Sequence, residues 1–462
     1  MGQRFALLPK GEEKFSCWML LDKERSDHAM TNSMNIDGSA YAPSLLPLPW
    51  STPLDKWGDD VVVRLPRGIS RHVVRFVHLG DATGTDFATM SPTGGIIAAI
   101  KEIGRKTAHH EYAMLRELRR VKAPAVTPIA VITGRRSPEW EVLTAALVTE
   151  HLRFSLPYRE IFSQKLEPAM ADKLIRALAI LLVRLHLLNF YWGDVSLSNT
   201  LFRRDADTFS AYLVDAETGE FQPELSRNRR LYDVEIARVN VIGELMDLSS
   251  GGTLDPEIDP IALGNSIETY YVDLWAQLTE EFEVPAAEYW RVKERVEKLA
   301  EMGFDIGELR LSSGASGMIT AKPKIVDAGH HRNLIVSLLG MDVEEQQARR
   351  FLSEIRHYQA DLPIQQAARA WYNEEYLPTV QAIPPELIDK LEPPQIFHEI
   401  LDHRYFLSQE NARAVPIEEA ATSYYHKVLP SHRDEKVLIV HPNSEESDLD
   451  GGLADDLDFL DN

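Results

Sequence analysis

His186-Leu187-Leu188-Asn189-Phe190-Tyr191-Trp192-Gly193-Asp194-Val195-Ser196-Leu197-Ser198-Asn199-Thr200-Leu201-Phe202 runs into a polar turn and then into Tyr212-Leu213-Val214-Asp215-Ala216-Glu217. An Asp, an Asn five positions later and a second Asp ending an apolar hairpin give the spacing that kinase-like phosphoryl transfer needs. The first Asp must reach the acceptor hydroxyl. The Asn and the second Asp must converge on magnesium ions that neutralise charge on the transferred phosphate. Asp194, Asn199 and Asp215 fit those roles. Asp and Asn also favour turns, where their side chains bond nearby backbone, so the flanks decide the matter. A helix carrying Leu174, Leu178, Leu181, Leu182 and Leu185 precedes the motif, and a β-hairpin around Arg204-Asp205-Ala206-Asp207 follows it.

The 462 residues suffice for two or three domains, and 44% hydrophobic with 26% charged residues is ordinary for a globular protein. No apolar run is long enough to cross a bilayer and no signal-like segment opens the chain, so membrane insertion is not expected and the cytoplasm is. One cysteine, Cys17, leaves no internal disulfide and no cysteine-based zinc site. A formal charge of −22 argues against nucleic acid as a partner.

Residues 1–55 read as an irregular lead-in whose Trp and Leu residues are pinned to the next domain. Residues 56–150 read as a β-rich lobe. Val61–Pro66 and His72–Leu79 are its first strands, and the connecting Arg67-Gly68-Ile69-Ser70-Arg71 offers Gly68 and Ser70 as a loop over nucleotide phosphates, or else a plain hairpin turn. Lys101 closes the apolar strand Gly95–Ile103 as an Ala-Ile-Lys and is expected to hold phosphates. Glu111 lies on the apolar face of the next helix, where a carboxylate needs a cation; Lys101 is the expected partner. Two further strands end at Glu150-His151-Leu152, where the backbone of Glu150 and Leu152 is expected to meet an adenine edge.

Residues 151–260 read as the lobe holding the catalytic loop, with Asp233 as a helix N-cap or a brace for that loop. Only eighteen positions separate Asp215 from Asp233, and no Ala-Pro-Glu lies between them. That leaves no platform on which to dock a peptide, so the acceptor is expected to be a small molecule or a glycan. Residues 261–440 read as helical, Pro285–Met302 included. Within them His398 and Asp402 stand one helical turn apart, either a metal pair or a hydrogen-bonded surface pair, and His330-His331 reads as a helix start. Residues 441–462 read as a disordered acidic tail, with eight acidic residues and no basic one from Ser444 onward.

Together these residues resemble a bacterial family classed with lipopolysaccharide kinases, whose domain is of unknown function. Its carriers are Leu65–His72, Ser155–Arg159, Trp192–Asn199, Val214–Glu220 and Gly329-His330-His331, and the likeness runs from Leu48 to Pro430. The resemblance implies an α+β, protein-kinase-like bilobal fold, with a small β-rich N-lobe and a mainly helical C-lobe, followed by a helical C-terminal domain. It also implies ATP-dependent transfer to a hydroxyl with Mg2+. Two departures from kinases at large are Trp192, where a histidine is usual, and Asp215-Ala216-Glu217 in place of Asp-Phe-Gly; Glu217 then becomes a further metal ligand or a disturbance of the site. The expected catalytic set is Asp194, Lys101 and Glu111, with Asn199, Asp215 and Glu217 on the metal. The rival expectation is an inactive pseudokinase scaffold that recruits a protein partner through its C-terminal helices or acidic tail.

Overall fold

The first lobe is an antiparallel sheet of five strands built around one helix. In chain order these are β1 (Asn35–Gly38), β2 (Val74–Leu79), β3 (Ile96–Ile103), helix α1 (Arg105–Arg120), β4 (Pro128–Thr133) and β5 (Ala145–Glu150), and the strands lie in the order β1-β4-β5-β3-β2. The computed structural model describes residues 34–435 except 40, 64, 66–70, 81–94, 163–165, 314–316 and 360. Gly68, Ser70 and the acidic tail therefore lie outside the described residues. Of the expected strand Val61–Pro66, the described residues form a single bridge from Val63 to Phe76.

Alternation along the strands divides the sheet between two covers. Val131 and Leu147 pack toward Leu115 and Leu118 of α1, while Ala130, Ile132, Ala146 and Val148 pack toward Leu45, Trp50 and Leu54. The described residues 34–57, other than 40, are thus part of the lobe. Among them Asn35–Gly38 pair with β4, and the Trp50 and Thr52 carbonyls accept bonds from buried Arg135 at 3.1 and 2.8 Å.

The second lobe packs α2 (Pro168–Leu187), the hairpin β6 (Thr200–Asp205) and β7 (Thr208–Leu213), α3 (Arg227–Ser250) and α4 (Pro260–Thr279). Pro168 opens α2 at a position where its missing N–H costs nothing. Ser226 and Asp259 cap α3 and α4 by accepting backbone N–H bonds. Ile267, Tyr271, Leu274 and Leu278 of α4 are buried in the same core as Leu174, Leu178 and Leu182 of α2. The apolar core therefore crosses the 260/261 division drawn from sequence.

Beyond α4 the chain departs from the helical expectation. β8 (Phe282–Pro285), α5 (Trp290–Glu301), β9 (Phe304–Ser313) and β10 (Met318–Ala328) follow, and the strands form an antiparallel sheet ordered β8-β10-β9. Helix α5 stops where Gly303 turns left-handed at φ +84°, and Phe304, Ile306, Leu309 and Leu311 then follow a strand period interrupted by a bulge.

The C-terminal domain is helical: α6 (His330–Leu339), α7 (Glu345–Tyr358), α8 (Ile364–Trp371), α9 (Pro393–Glu410) and α10 (Ile417–Lys427). It has its own core, in which Phe351, Trp371, Tyr376 and Phe397 stack at 5.0 to 6.0 Å between ring centres. Gly329, at φ +79°, precedes α6, so His330 does begin a helix. Among the described residues no helix is long and apolar enough to cross a membrane.

Candidate active site

The loop 192–199 is held by one face of α3. Asp233 accepts the backbone N–H groups of Trp192 and Gly193, both at 2.8 Å, and faces His186 Nε2 at 3.1 Å. Two and three turns further, Asn240 donates to the Val195 carbonyl at 3.0 Å, and Glu244 accepts from Leu197 N at 2.8 Å and Ser198 N at 2.9 Å. Asp233 is thus the loop's brace; the cap of α3 is Ser226. Asn240 and Glu244 escaped the sequence reading, although residues 233, 240 and 244 share a helical face. Gly193 sits at φ +82°, and a Cβ there would meet the Tyr191 ring at 2.9 Å, so the turn before Asp194 requires glycine.

Asp194, Asn199, Lys101, Glu111 and Asp215 line one cavity of about 1050 Å³ between the lobes. The Asn199 amide nitrogen donates to the Asp194 carbonyl at 3.0 Å and to its carboxylate at 3.1 Å. Lys101 Nζ lies 2.9 Å from Glu111 Oε1 and 3.0 Å from Asp215 Oδ2. Asp215 uses its other oxygen to accept the Glu217 N–H at 2.9 Å. The Trp192 indole donates to the Asp215 carbonyl at 2.8 Å, tying the catalytic loop to the second aspartate. Glu217 faces the first lobe, 3.2 Å from Arg71 and 3.3 Å from His72, and Arg71 also reaches Asp194 at 3.4 Å.

Electrostatics follow from that crowding. Burial pushes the Glu111 carboxyl up to about 7, Asp215 beside it adds to the rise, and Lys101 only partly offsets both. For Lys101 burial is the largest single influence and favours the neutral amine, but Glu111 and Asp215 together outweigh it and raise its pKa. Oxygens of Glu111, Asp215 and Glu217 lie within 4.8 Å of one another, with Lys101 meeting the first two and Arg71 the third.

At the expected hinge, Glu150 and Leu152 do line the cavity. The Glu150 N–H, however, donates to Thr127 O at 2.8 Å and the His151 N–H to Ile97 O at 2.8 Å. Strand pairing thus occupies both of these donors. Burial pushes the His151 imidazole down to about 4.

The hairpin β6–β7 joins Asn199 to Asp215, and its outer side is gripped by the C-terminal domain. Buried Arg203 meets Glu344 at 2.9 Å, Asp342 at 3.2 Å and also Glu392. Tyr212 donates to Glu344 at 2.6 Å. Asp205 accepts the N–H groups of Gln346 and Gln347 at 2.8 and 3.1 Å, capping the start of α7. After α10 the chain returns to the cavity rim, where Glu435 meets Arg204 at 2.7 Å. None of this network was legible in the sequence, because its partners are more than a hundred residues apart.

Two lobes around a cleft holding a lysine, a buried glutamate and an Asp–Asn–Asp set define a kinase-like protein. Residues 98–235 match the model of the lipopolysaccharide kinase (Kdo/WaaP) family, and residues 273–429 match a domain of unknown function, DUF4032. The two matched segments follow one another along the chain without overlap. Among solved structures it is similar to WaaP in complex with acyl carrier protein, at 15% identity and TM-score 0.31, over 58% of this chain and 99% of that one. It is also similar to the bifunctional kinase-methyltransferase WbdD, at 15% identity and TM-score 0.24, over 37% of this chain and 40% of that one. No curated protein matches.

Proposed function

We propose that this protein is an ATP-dependent phosphotransferase that uses Mg2+ and acts in the cytoplasm on a hydroxyl of a small molecule or glycan. One observation carries the reading: Lys101 bonds Glu111 and Asp215 together, beside an Asp194 held by Asn199, around a single cavity. In this scheme Asp194 orients the acceptor hydroxyl and takes its proton. Lys101 holds the nucleotide phosphates and Glu111 holds Lys101. Asn199 has spent its amide nitrogen on Asp194, which leaves Oδ1 to join Asp215 on a divalent cation, with Glu217 alongside. These are the hard oxygen donors that magnesium prefers. When bound, the cation supplies charge neutralisation at the phosphates.

The small-acceptor reading draws support from the segment after Asp215. Thr218 bonds the Trp192 carbonyl at 2.7 Å, Gln222 N bonds Asn189 O at 2.9 Å, and the chain then enters α3 at Arg227. Little of it remains free to dock a peptide.

The test is ADP release by the full chain with Mg-ATP in the presence of a metabolite extract, read alongside phosphate mass gain in the extract. Asp215→Asn is expected to lower turnover by about a thousandfold with an unchanged fold. Native-rate turnover by that variant, or no melting-temperature shift of the wild type with Mg-ATP, sinks the proposal.

A further inference from the structure

The turn of the hairpin β6–β7, midway in sequence between Asn199 and Asp215, and helix α9 come together at a second cluster. Asp207 in the turn, His398 on α9 and Asp402 one helical turn later each bring one ligand-type atom within 4.8 Å of the other two. His398 is only 6% exposed, and neither of its ring nitrogens has a hydrogen-bond partner among the described residues. Its Nε2 lies 3.3 Å from Asp402 Oδ2, without the alignment of a hydrogen bond. A buried imidazole left in this state is unfavourable, and an ion held between it and two carboxylates relieves it. The sequence offered His398 and Asp402 as a metal pair or a surface pair; burial of His398 removes the second option and the fold supplies a third donor from another domain.

The neighbours sharpen the assignment. Glu399 is already engaged with Gln395 at 3.0 Å, Tyr424 at 2.6 Å and His432 at 3.2 Å, so it is not a donor here. Lys173 binds the backbone carbonyl of Asp207 at 2.6 Å and not its carboxylate. Asp207 is exposed and the Asp402 side chain is 40% exposed, so both can rotate the last ångström toward an ion whose ligands sit roughly 3.5 Å apart.

We propose that Asp207, His398 and Asp402 form a divalent transition-metal site that staples the turn of the catalytic hairpin to the C-terminal helical domain. One nitrogen and two carboxylates suit Zn2+ or Mn2+ better than Mg2+ or Ca2+, which favour all-oxygen shells. Asp207 and Asp402 line a surface depression of about 380 Å³, through which an ion and water could enter. The ion would cross-link the hairpin that carries Asn199 and Asp215 without touching either, so this site stands or falls independently of the phosphotransferase reading.

The experiment is calorimetric titration of the EDTA-treated, dialysed full chain with ZnCl2 and with MnCl2, paired with melting curves. One site per chain beyond any in the cleft, retained in Asp215→Asn, and a raised melting temperature are expected for Zn2+ or Mn2+. Asp207→Asn, on an exposed turn where folding is not at risk, and Asp402→Asn should each weaken that binding by roughly tenfold or more. Asp215→Asn should leave it intact. His398→Ala should abolish it, with circular dichroism checking the fold. Absence of binding by the wild type, wild-type affinity in Asp207→Asn, or loss of binding in Asp215→Asn alone would each overturn the assignment.

Discussion

Two clusters of charge are taken out of water in this molecule, one on each side of the hairpin β6–β7. On the inner side Lys101 meets Glu111 and Asp215, and Arg71 meets Glu217, with the Lys101 side chain 14% exposed to an open cavity. On the outer side Arg203, 1% exposed, is enclosed by Glu344 and Glu392, with Asp342 at its half-exposed edge. The inner cluster is accessible, so it can gain by taking up a cation and a phosphate chain. The outer cluster is sealed around Arg203, and its carboxylates are already met by Arg203, Arg332, Tyr212 and backbone donors. The difference separates a site arranged to bind from one arranged to hold, although composition alone would not distinguish them.

The largest effect on stability is expected from the sealed cluster. Arg203→Met should lower unfolding free energy by about 3–5 kcal/mol, because Glu392 is then buried without its cation and Glu344 keeps only Arg332, at 3.8 Å. Denaturant unfolding measures this, and a loss below about 1 kcal/mol would put the two clusters on the same footing. Glu111→Gln should behave in the opposite way. Turnover should fall by about a hundredfold as Lys101 loses its anchor, yet stability at pH 8 should hold or rise, since burial disfavours the charged carboxylate. Melting curves beside ADP release separate the two outcomes.

A smaller effect concerns pH. Burial, with Glu344 nearby, pushes Asp205 up to about 7 from an ordinary value near 4. The folded state then holds a proton that the unfolded chain releases. Its contribution to stability is therefore complete below about pH 4 and is lost as pH rises through 7, with a slope of up to about 1.4 kcal/mol per pH unit. Asp205→Asn should flatten the fall in the urea midpoint between pH 5 and 7.5. An identical pH profile in that variant would place the titration elsewhere.

Much of the inner cluster was legible before folding was considered. Asp194, Asn199 and Asp215 stand at a spacing that chemistry restricts, and Glu111 announced a cation by sitting on the apolar side of α1. The strand Asn35–Gly38 was not legible, because four residues carry too little periodicity to reveal a partner near residue 130. The sheet β8–β10 was lost for a related reason: helix formers around Trp290 masked the left-handed Gly303 and the alternation after it. Strand pairing likewise spent the Glu150 N–H in a way that no local pattern records.

By itself the sequence determined which residues are candidates for phosphoryl-transfer chemistry, because such groups must be particular residue types at separations that a loop and a hairpin can close. Only the tertiary structure decided what surrounds them. Lys101 meets Asp215 from 114 residues away, Arg203 meets Glu392 from 189 away, and Asp207 meets His398 across two domains. Such pairings have no local signature, since they arise from how whole elements pack and from the need to satisfy each charge that packing removes from water.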